Sequence, residues 1–353
     1  MDGVEVRTLT DGGQPAADTA DALAEFVSAA EKTLEVAIYD INLPEPIGKI
    51  VRDAFDAANG RGVAVRLAYN ADYRRDTPVP PPPTTVPAFV EAFPFPTAAI
   101  PGVPDLMHHK YVVRDGAAVW TGSTNWTVDS WTREENVIVT VESAALAARY
   151  LEDFEQLWTS RQVSHSGKVD TSPVAPGVAA WFCPRRGEKL AHRIASAIRS
   201  AQRRIRIASP VISNGPILTA LAQVAADGKI DLAGVVDATQ ISEVLYQWHQ
   251  NQQESGIPDA KGPLLRETLT GASFSGKVTT PYAPGSVHDY MHAKVSVIDD
   301  TVFVGSFNLS HSGEKNAENV LEFSDAGLAE QMAAFIDSVR GRYPAVSLPV
   351  PVA

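Results

Sequence analysis

The sequence predicts an α/β fold built as two similar lobes, each a mixed β-sheet flanked by helices. Three observations carry that prediction. The stretch MHHKYVVRDGAAVWTGSTNWT returns in outline as MHAKVSVIDDTVFVGSFNLS, with His108 and His292 in register at an offset of 184 residues. Helix-spaced and strand-like segments alternate in the same order ahead of both copies. At 353 residues and 44% hydrophobic, the chain is long enough for two ordinary domains and apolar enough to fill their cores.

The elements follow in parallel. Leu23, Phe26, Val27 and Ala30 form a helical stripe before the strand-like LEVAIYDI, as Leu190, Ile194, Ala197, Ile198 and Ala201 do before RIRIASPVI. A second helix is predicted from Ile47, Ile50, Val51, Ala54 and Phe55, and its counterpart from Ile217, Leu218, Leu221 and Val224. Each ends in a glycine signal, Asn59-Gly60 or Asp227-Gly228, before the strands VAVRLAYN and IDLAGVVDA. A strand pair carrying the repeated motif comes next, and an amphipathic helix closes each half, around 143–159 and 327–342. Apolar periodicity stops in SRQVSHSGKVDTSPVAPG, which divides the chain into lobes 1–160 and 177–353 with a linker at 161–176. TPVPPPPTTVP at 77–87 reads as a stiff spacer, and QWHQNQQESG at 247–256 fills a similar place; both are expected to overhang a site.

Composition excludes several classes. One cysteine, Cys183, leaves no disulfide scaffold and no cysteine-based zinc site. No apolar run reaches the ~18–20 residues of a membrane span, and MDGVEVRTLTDGG is no secretory signal, so a cytoplasmic location is the default expectation. The net charge of -12 speaks against a general nucleic-acid coat protein, although it leaves the field inside one cleft open.

The chemistry sits in the repeats. Alternate residues of a strand share a face, so His108 and Lys110 point together, as do His292 and Lys294. The facing strands supply Ser123 and Asn125, or Ser306 and Asn308, each pair following a glycine that permits close approach. A carboxylate precedes Asn-Val in both halves, Glu135 in REENVIV and Glu318 in NAENVLE, 27 and 26 residues after the histidine. One His-x-Lys on a strand is an ordinary edge pattern. Two copies that keep His, Lys, Ser, Asn and Glu in order, inside diverged sequence, are not, because packing gives no reason to repeat polar groups where apolar ones belong. His108-His109 does not read as a metal site: adjacent strand residues diverge and no carboxylate cluster accompanies them. GASFSGKV at 271–278 imitates a phosphate-binding loop but has Val278 where Ser or Thr is required.

His108, Lys110 and Asp115, then His292, Lys294 and Asp299, spell H-x-K-x-x-x-x-D twice; with GSTN and GSFN they resemble the phospholipase D superfamily. The resemblance implies two lobes about a pseudo-twofold axis, with both motifs meeting in one cleft. It implies a phosphodiesterase needing no metal or other cofactor, with His108 as nucleophile and His292 as general acid/base. Lys110, Lys294, Asn125 and Asn308 would hold phosphoryl oxygens, with Ser123 and Ser306 beside them. Glu135 and Glu318 would orient the imidazoles, while Asp115 and Asp299 are expected to be structural. The expected substrate is a phospholipid, for headgroup hydrolysis or exchange, with Trp126, Trp131 and Phe307 as possible rests for acyl chains. The alternative is a nuclease acting on DNA or RNA, and a non-enzymatic phosphate-binding module is a third class. No obligate protein partner is expected.

Overall fold

The computed structural model describes residues 3–71, 85–255, 260–283 and 285–348, so most of the 77–87 spacer lies outside the described residues. The first half runs β1 (Val4–Leu9), α1 (Ala16–Ser28), β2 (Thr33–Ile38), β3 (Ile41–Asn42), α2 (Ile47–Gly60), β4 (Ala64–Ala71), α3 (Pro87–Glu91) and β5 (Thr97–Pro101). It continues with β6 (Lys110–Arg114), β7 (Ala118–Gly122), β8 (Trp126–Thr127), α4 (Val128–Thr132), β9 (Asn136–Glu142) and α5 (Ala144–Ser160). The second half runs β10 (Val178–Phe182), α6 (Gly187–Ser200), β11 (Arg204–Ser209), α7 (Gly215–Asp227), β12 (Asp231–Asp237), α8 (Ala238–Ser255) and α9 (Lys261–Gly271). It ends with β13 (Ser273–Lys277), β14 (Val295–Ile298), β15 (Thr301–Gly305), α10 (His311–Lys315), β16 (Asn319–Ser324) and α11 (Ala326–Arg340).

The two large sheets have the same plan. Their orders are β1-β9-β7-β6-β2-β4-β5 and β10-β16-β15-β14-β11-β12-β13, which correspond strand for strand. In both, three strands are parallel (β2, β4, β5; β11, β12, β13) and the motif hairpin joins them antiparallel. This is the mixed sheet expected from the sequence.

Three cores hold the layers. One lies under α1 and α2 in the first lobe, and a second under α6 and α7 in the other. The third is shared: Val113, Val139 and Phe154 of one lobe and Val297, Phe323 and Ile336 of the other belong to a single buried cluster built on α5 and α11. Apolar alternation on the strands puts one face toward each helix layer. The stretch between α5 and β10, where the sequence placed the linker, packs on this core through the buried Val163 and Val169.

Three local expectations need correction. QWHQNQQESG continues α8 through Ser255 instead of forming an irregular overhang: Ala238, Ile241 and Leu245 anchor its buried face, with Trp248 packed against the same core, so the rest tolerates a run of polar residues. Gly60 is the last residue of α2, and the left-handed turn falls at Gly62 (φ 92°), whereas Gly228 (φ 61°) does cap α7. Trp126, Trp131 and Phe307 are core residues, at most 2% exposed, and offer nothing to an acyl chain.

Candidate active site

Both histidines sit just before their strands, at the seam between the lobes. The chain bridges across there twice in the same way: Met107 pairs with Ala317, and Met291 with Glu135. Each bridge carries the following histidine toward the opposite lobe. The backbone N–H of Met107 donates to Asn70 Oδ1 (3.0 Å), and that of Met291 to the Asp237 carboxylate (3.1 Å). Asn70 is the penultimate residue of β4 and Asp237 the last of β12, in equivalent positions, and the motif alone did not point to them. The signal was there in a polar residue ending each apolar parallel strand, where ligand clefts of α/β sheets form.

One cleft of about 250 Å³ is lined by His108, His292, Asn125 and Asn308 together. His108 Nδ1 lies 2.9 Å from the Glu318 carboxylate of the other lobe. His292 Nδ1 lies 3.1 Å from Asn136 Oδ1 and 3.3 Å from Glu134 Oε2, again across the seam. Binding Nδ1 from behind leaves Nε2 of each ring as the free nitrogen. Lys110 Nζ donates to the His108 carbonyl (2.7 Å), and Lys294 Nζ to that of His292 (2.5 Å), so each lysine is buried beneath its own histidine. Among the described residues the Oδ1 atoms of Asn125 and Asn308 have no hydrogen-bond partner. Tyr39, at the end of the first-lobe LEVAIYDI, packs its ring edge against His108 (4.6 Å between centroids) and receives the Lys110 ammonium over its face (4.8 Å).

Glu135 is not the partner of His292. It is fully buried and binds Lys277 Nζ (3.0 Å), the Tyr343 hydroxyl and the Asp11 N–H instead. The physical reason is strand register. Ser123 Oγ accepts from the N–H of Val137, 14 residues on, whereas Ser306 Oγ accepts from that of Asn319, 13 residues on. Gly122 likewise pairs with Ile138 where Gly305 pairs with Val320. The first lobe therefore carries one more inserted residue than the Asn-Val match allows, and one residue of slip turns a side chain to the opposite face. Asn136 occupies the position of Glu318, and the carboxylate near His292 is Glu134, two residues back on the same face. Glu134 is held by Ser130 Oγ (2.6 Å) and Asn136 Nδ2 (3.0 Å).

Ser123 and Ser306 do not reach the cleft. Both are fully buried and tie β9 and β16 to the strands before them. Asp115 (φ 56°) and Asp299 (φ 52°) lie at the far hairpin turns. Each accepts three backbone N–H groups, from Glu31, Lys32 and Thr33 or from Gln202, Arg203 and Arg204. His109 is buried 2.9 Å from Asp153, and His288 lines the cleft.

Burial sets the electrostatics. It pushes both histidines well below their ordinary range, and Lys110 and Lys294 push them further. Lys110 is brought down to about 7 by burial, against the pull of Glu318, Asp40 and Glu134. Lys294 is brought well down by burial and then by Lys110. Burial raises Glu134 and Glu318 to about 7. The free site is thus short of charge, with both imidazoles held neutral. Among the described residues no cluster of His, Cys, Asp and Glu could hold a metal ion, and no helix is long and apolar enough to cross a membrane.

Two like lobes that lend a histidine and an asparagine apiece to one cleft, each histidine with its lysine beneath, define a class, the two-lobed members of the phospholipase D superfamily. Residues 23–158 and 194–340 match the family described as "Cardiolipin synthase, PLD-like domain", and the chain belongs to that family. Among its relatives is the mitochondrial cardiolipin hydrolase of Xenopus tropicalis, 29% identical over 134 residues, which are 36% of this chain and 56% of that protein. The human protein of the same name is 26% identical over 168 residues, 44% of this chain and 59% of its own length. The chain thus spans little more than half of these relatives. The phosphatidylserine synthase of Haemophilus influenzae shares the fold, with TM-score 0.62 at 14% identity over 96% of this chain and 85% of its own.

Proposed function

We propose that this chain is a metal-independent phosphodiesterase that works through a phosphohistidine, and that its substrate is a phospholipid whose headgroup it hydrolyses or exchanges. The observation that carries the reading is the shared cleft, in which both imidazoles present Nε2 while the opposite lobe holds Nδ1. His108 Nε2 attacks phosphorus and the bond to the headgroup oxygen breaks, leaving the phosphatidyl group on the ring. His292, protonated, gives that oxygen its proton, then takes one from the water or alcohol that attacks the phosphohistidine. An anionic phosphodiester lying between the rings supplies the negative charge the empty site lacks, and so favours the proton on His292. Lys110, Lys294, Asn125 and Asn308 stabilise the phosphoryl oxygens as their charge redistributes. The Glu318 carboxylate behind His108 strengthens that ring as a nucleophile, which supports giving His108 the first step.

The cleft's lining favours lipid over nucleic acid. Apart from Lys110 and Lys294 beneath the two histidines, the described residues around it supply no arginine or lysine to its walls, so no cationic track leads along them for successive phosphates. A panel of short-chain phospholipids, oligonucleotides and bis(p-nitrophenyl) phosphate, run with the wild type and His108→Ala, tests the reading. Turnover of a phospholipid that persists in chelator and disappears in His108→Ala is the expected result. Loss of activity on chelation, restored by a divalent ion, would overturn the mechanism, and cleavage of oligonucleotides alone would overturn the substrate.

A further inference from the structure

Beside the contact between His108 and Glu318 lies a second polar pair, His109 and Asn319, both at most 1% exposed. Each member follows its neighbour by one residue in the chain. His109 Nδ1 lies 3.2 Å from Asn319 Oδ1, next to the 2.9 Å contact of His108 Nδ1 with Glu318. The two contacts cross the seam on opposite faces of the chain: His108 lines the cleft, while His109 packs against Tyr111 and Phe182 of the shared core. Asn319 Nδ2 donates to Thr121 Oγ1 (2.7 Å) and to the Tyr150 hydroxyl (3.0 Å), both in the first lobe. That leaves its Oδ1 as the acceptor and puts a proton on His109 Nδ1. The His109 carbonyl accepts the N–H of Tyr39 (2.8 Å), whose ring packs against His108.

Packing does not require this pair. Its counterparts in the other half are Ala293 and Val137, buried in the same shared core. Apolar residues thus fit the position, and an imidazole with an amide adds a desolvation cost that their mutual bond offsets. The polar pair stands on one side only, behind the ring assigned to attack phosphorus. A single bond across the seam leaves a ring and its carboxylate free to pivot about it. A second bond one residue along, on the other face, removes that freedom. The main chain is also tied more closely on this side. The His108 N–H donates to the Ala317 carbonyl at 2.9 Å and the Ala317 N–H to that of Leu106 at 2.8 Å, whereas the Glu135 N–H reaches the Tyr290 carbonyl at 3.4 Å.

Resting on the phosphohistidine reading above, we propose that His109 and Asn319 are positioning residues, which hold the His108 ring against Glu318 for its attack on phosphorus. The amide nitrogen of asparagine takes the place of a histidine Nδ1, and that of glutamine the place of Nε2. His109→Asn therefore keeps a donor for Asn319, and His109→Gln does not. The burst of p-nitrophenolate from bis(p-nitrophenyl) phosphate reads the attack by His108 alone, because that leaving group needs no proton. The burst rate should fall roughly 10- to 100-fold in His109→Gln but less than about threefold in His109→Asn, while both lose similar stability in urea. Equal burst rates in the two variants, which a merely structural role would give, would overturn the proposal. If the histidine variants do not fold, Asn319→Asp and Asn319→Leu ask the same question from the other strand. The first keeps the acceptor and should keep the burst, the second should slow it, and equal rates would again count against the pair. Ring-¹⁵N spectra of the histidines separate this proposal from the mechanism it rests on. At neutral pH His108 should carry its proton on Nδ1 in wild type and in His109→Asn, and divide it between both nitrogens in His109→Gln. An unchanged His108 spectrum in His109→Gln would sink the positioning role whether or not turnover is seen. Wild-type turnover with neither burst nor trapped phosphohistidine would sink the mechanism instead.

Discussion

The two histidines share a cleft, a lysine beneath and a bond across the seam, yet what stands behind them differs. His108 is backed by one carboxylate, Glu318, at 2.9 Å. His292 is backed by an amide, Asn136, at 3.1 Å, with Glu134 slightly further off at 3.3 Å. A carboxylate stabilises the cation that forms when an imidazole attacks or accepts a proton, and an amide mainly fixes the ring. The pseudosymmetry therefore stops behind the two rings, to which the proposed mechanism gives different work. Duplicated motifs can keep their reacting atoms while the support behind them diverges.

The largest effect that could break this contrast is on the phosphoenzyme. His108→Ala should lower turnover by roughly 10⁴-fold or more and leave no trapped phosphohistidine. His292→Asn should still form it from bis(p-nitrophenyl) phosphate, whose leaving group needs no proton, and should hydrolyse it slowly. Acid-labile label in the first variant, or rapid turnover in the second, would reverse the roles. Behind the rings, Glu318→Gln is expected to cost roughly 10²–10³-fold in kcat, but Glu134→Gln only about tenfold, because Asn136 still accepts the Nδ1–H. Equal losses would mean that the asymmetry has no functional weight.

A neighbouring pair sharpens the point. Glu134 and Glu135 are adjacent, and only the first belongs to the site. Glu135→Gln removes the partner of a buried lysine, Lys277, that joins β13 to the first lobe, with Asp11 3.3 Å away as its remaining ion pair. Stability in urea should fall by about 3 kcal/mol, the cost of stranding a buried charge, with kcat of the folded enzyme changed less than threefold. A large loss of kcat without loss of stability would return Glu135 to the catalytic group.

That error shows what could be read from the chain and what could not. His-x-Lys and the asparagines were legible because they repeat at strand spacing and because no core explains them. The carboxylate was not, since it was aligned on the conspicuous Asn-Val, and sequence gives no sign of which inserted residue shifts a strand's register. Ser123 and Ser306 failed for a different reason: buried hydroxyls that accept a strand's own N–H look, in sequence, like hydroxyls facing a phosphate. Tyr39, Asn70 and Asp237 went unnoticed because each is a single residue at a strand end, contributed by a different part of each lobe. The long polar face of α8 hid a helix that buries only a few apolar side chains. The fold itself was readable, since apolar stripes repeated in order need no knowledge of register.

The turn aspartates provide a control in which the lobes should not differ. Asp115 and Asp299 share φ near 55° and the same three N–H partners one lobe apart. Alanine at either should cost about 1.5–3 kcal/mol in urea, equally in both lobes, with activity retained in the folded fraction. Asparagine, which tolerates positive φ, should cost less. An activity loss at one aspartate alone would show that the motif's last residue has a chemical role.

The smallest expected effect is on stability at Lys294, and it has a definite sign. Burial and Lys110 hold this ammonium well below the ordinary lysine value of 10.5, so the folded chain binds its proton less readily than the unfolded chain does. The penalty is absent above pH 10.5, where neither state keeps the proton, and grows as pH falls toward the folded value. Lys294→Met removes it. The variant should lose turnover yet be more stable than wild type by about 1 kcal/mol at pH 7, with the gain shrinking toward pH 10. Lys110→Met should behave alike but gain less, because Glu318 and Glu134 favour the charge on both lysines, while Asp40 adds to that on Lys110 and Lys110 itself opposes it on Lys294. A loss of stability in Lys294→Met at neutral pH would mean that Glu134 and Glu318 already compensate that charge, and the second motif would then be no more strained than the first.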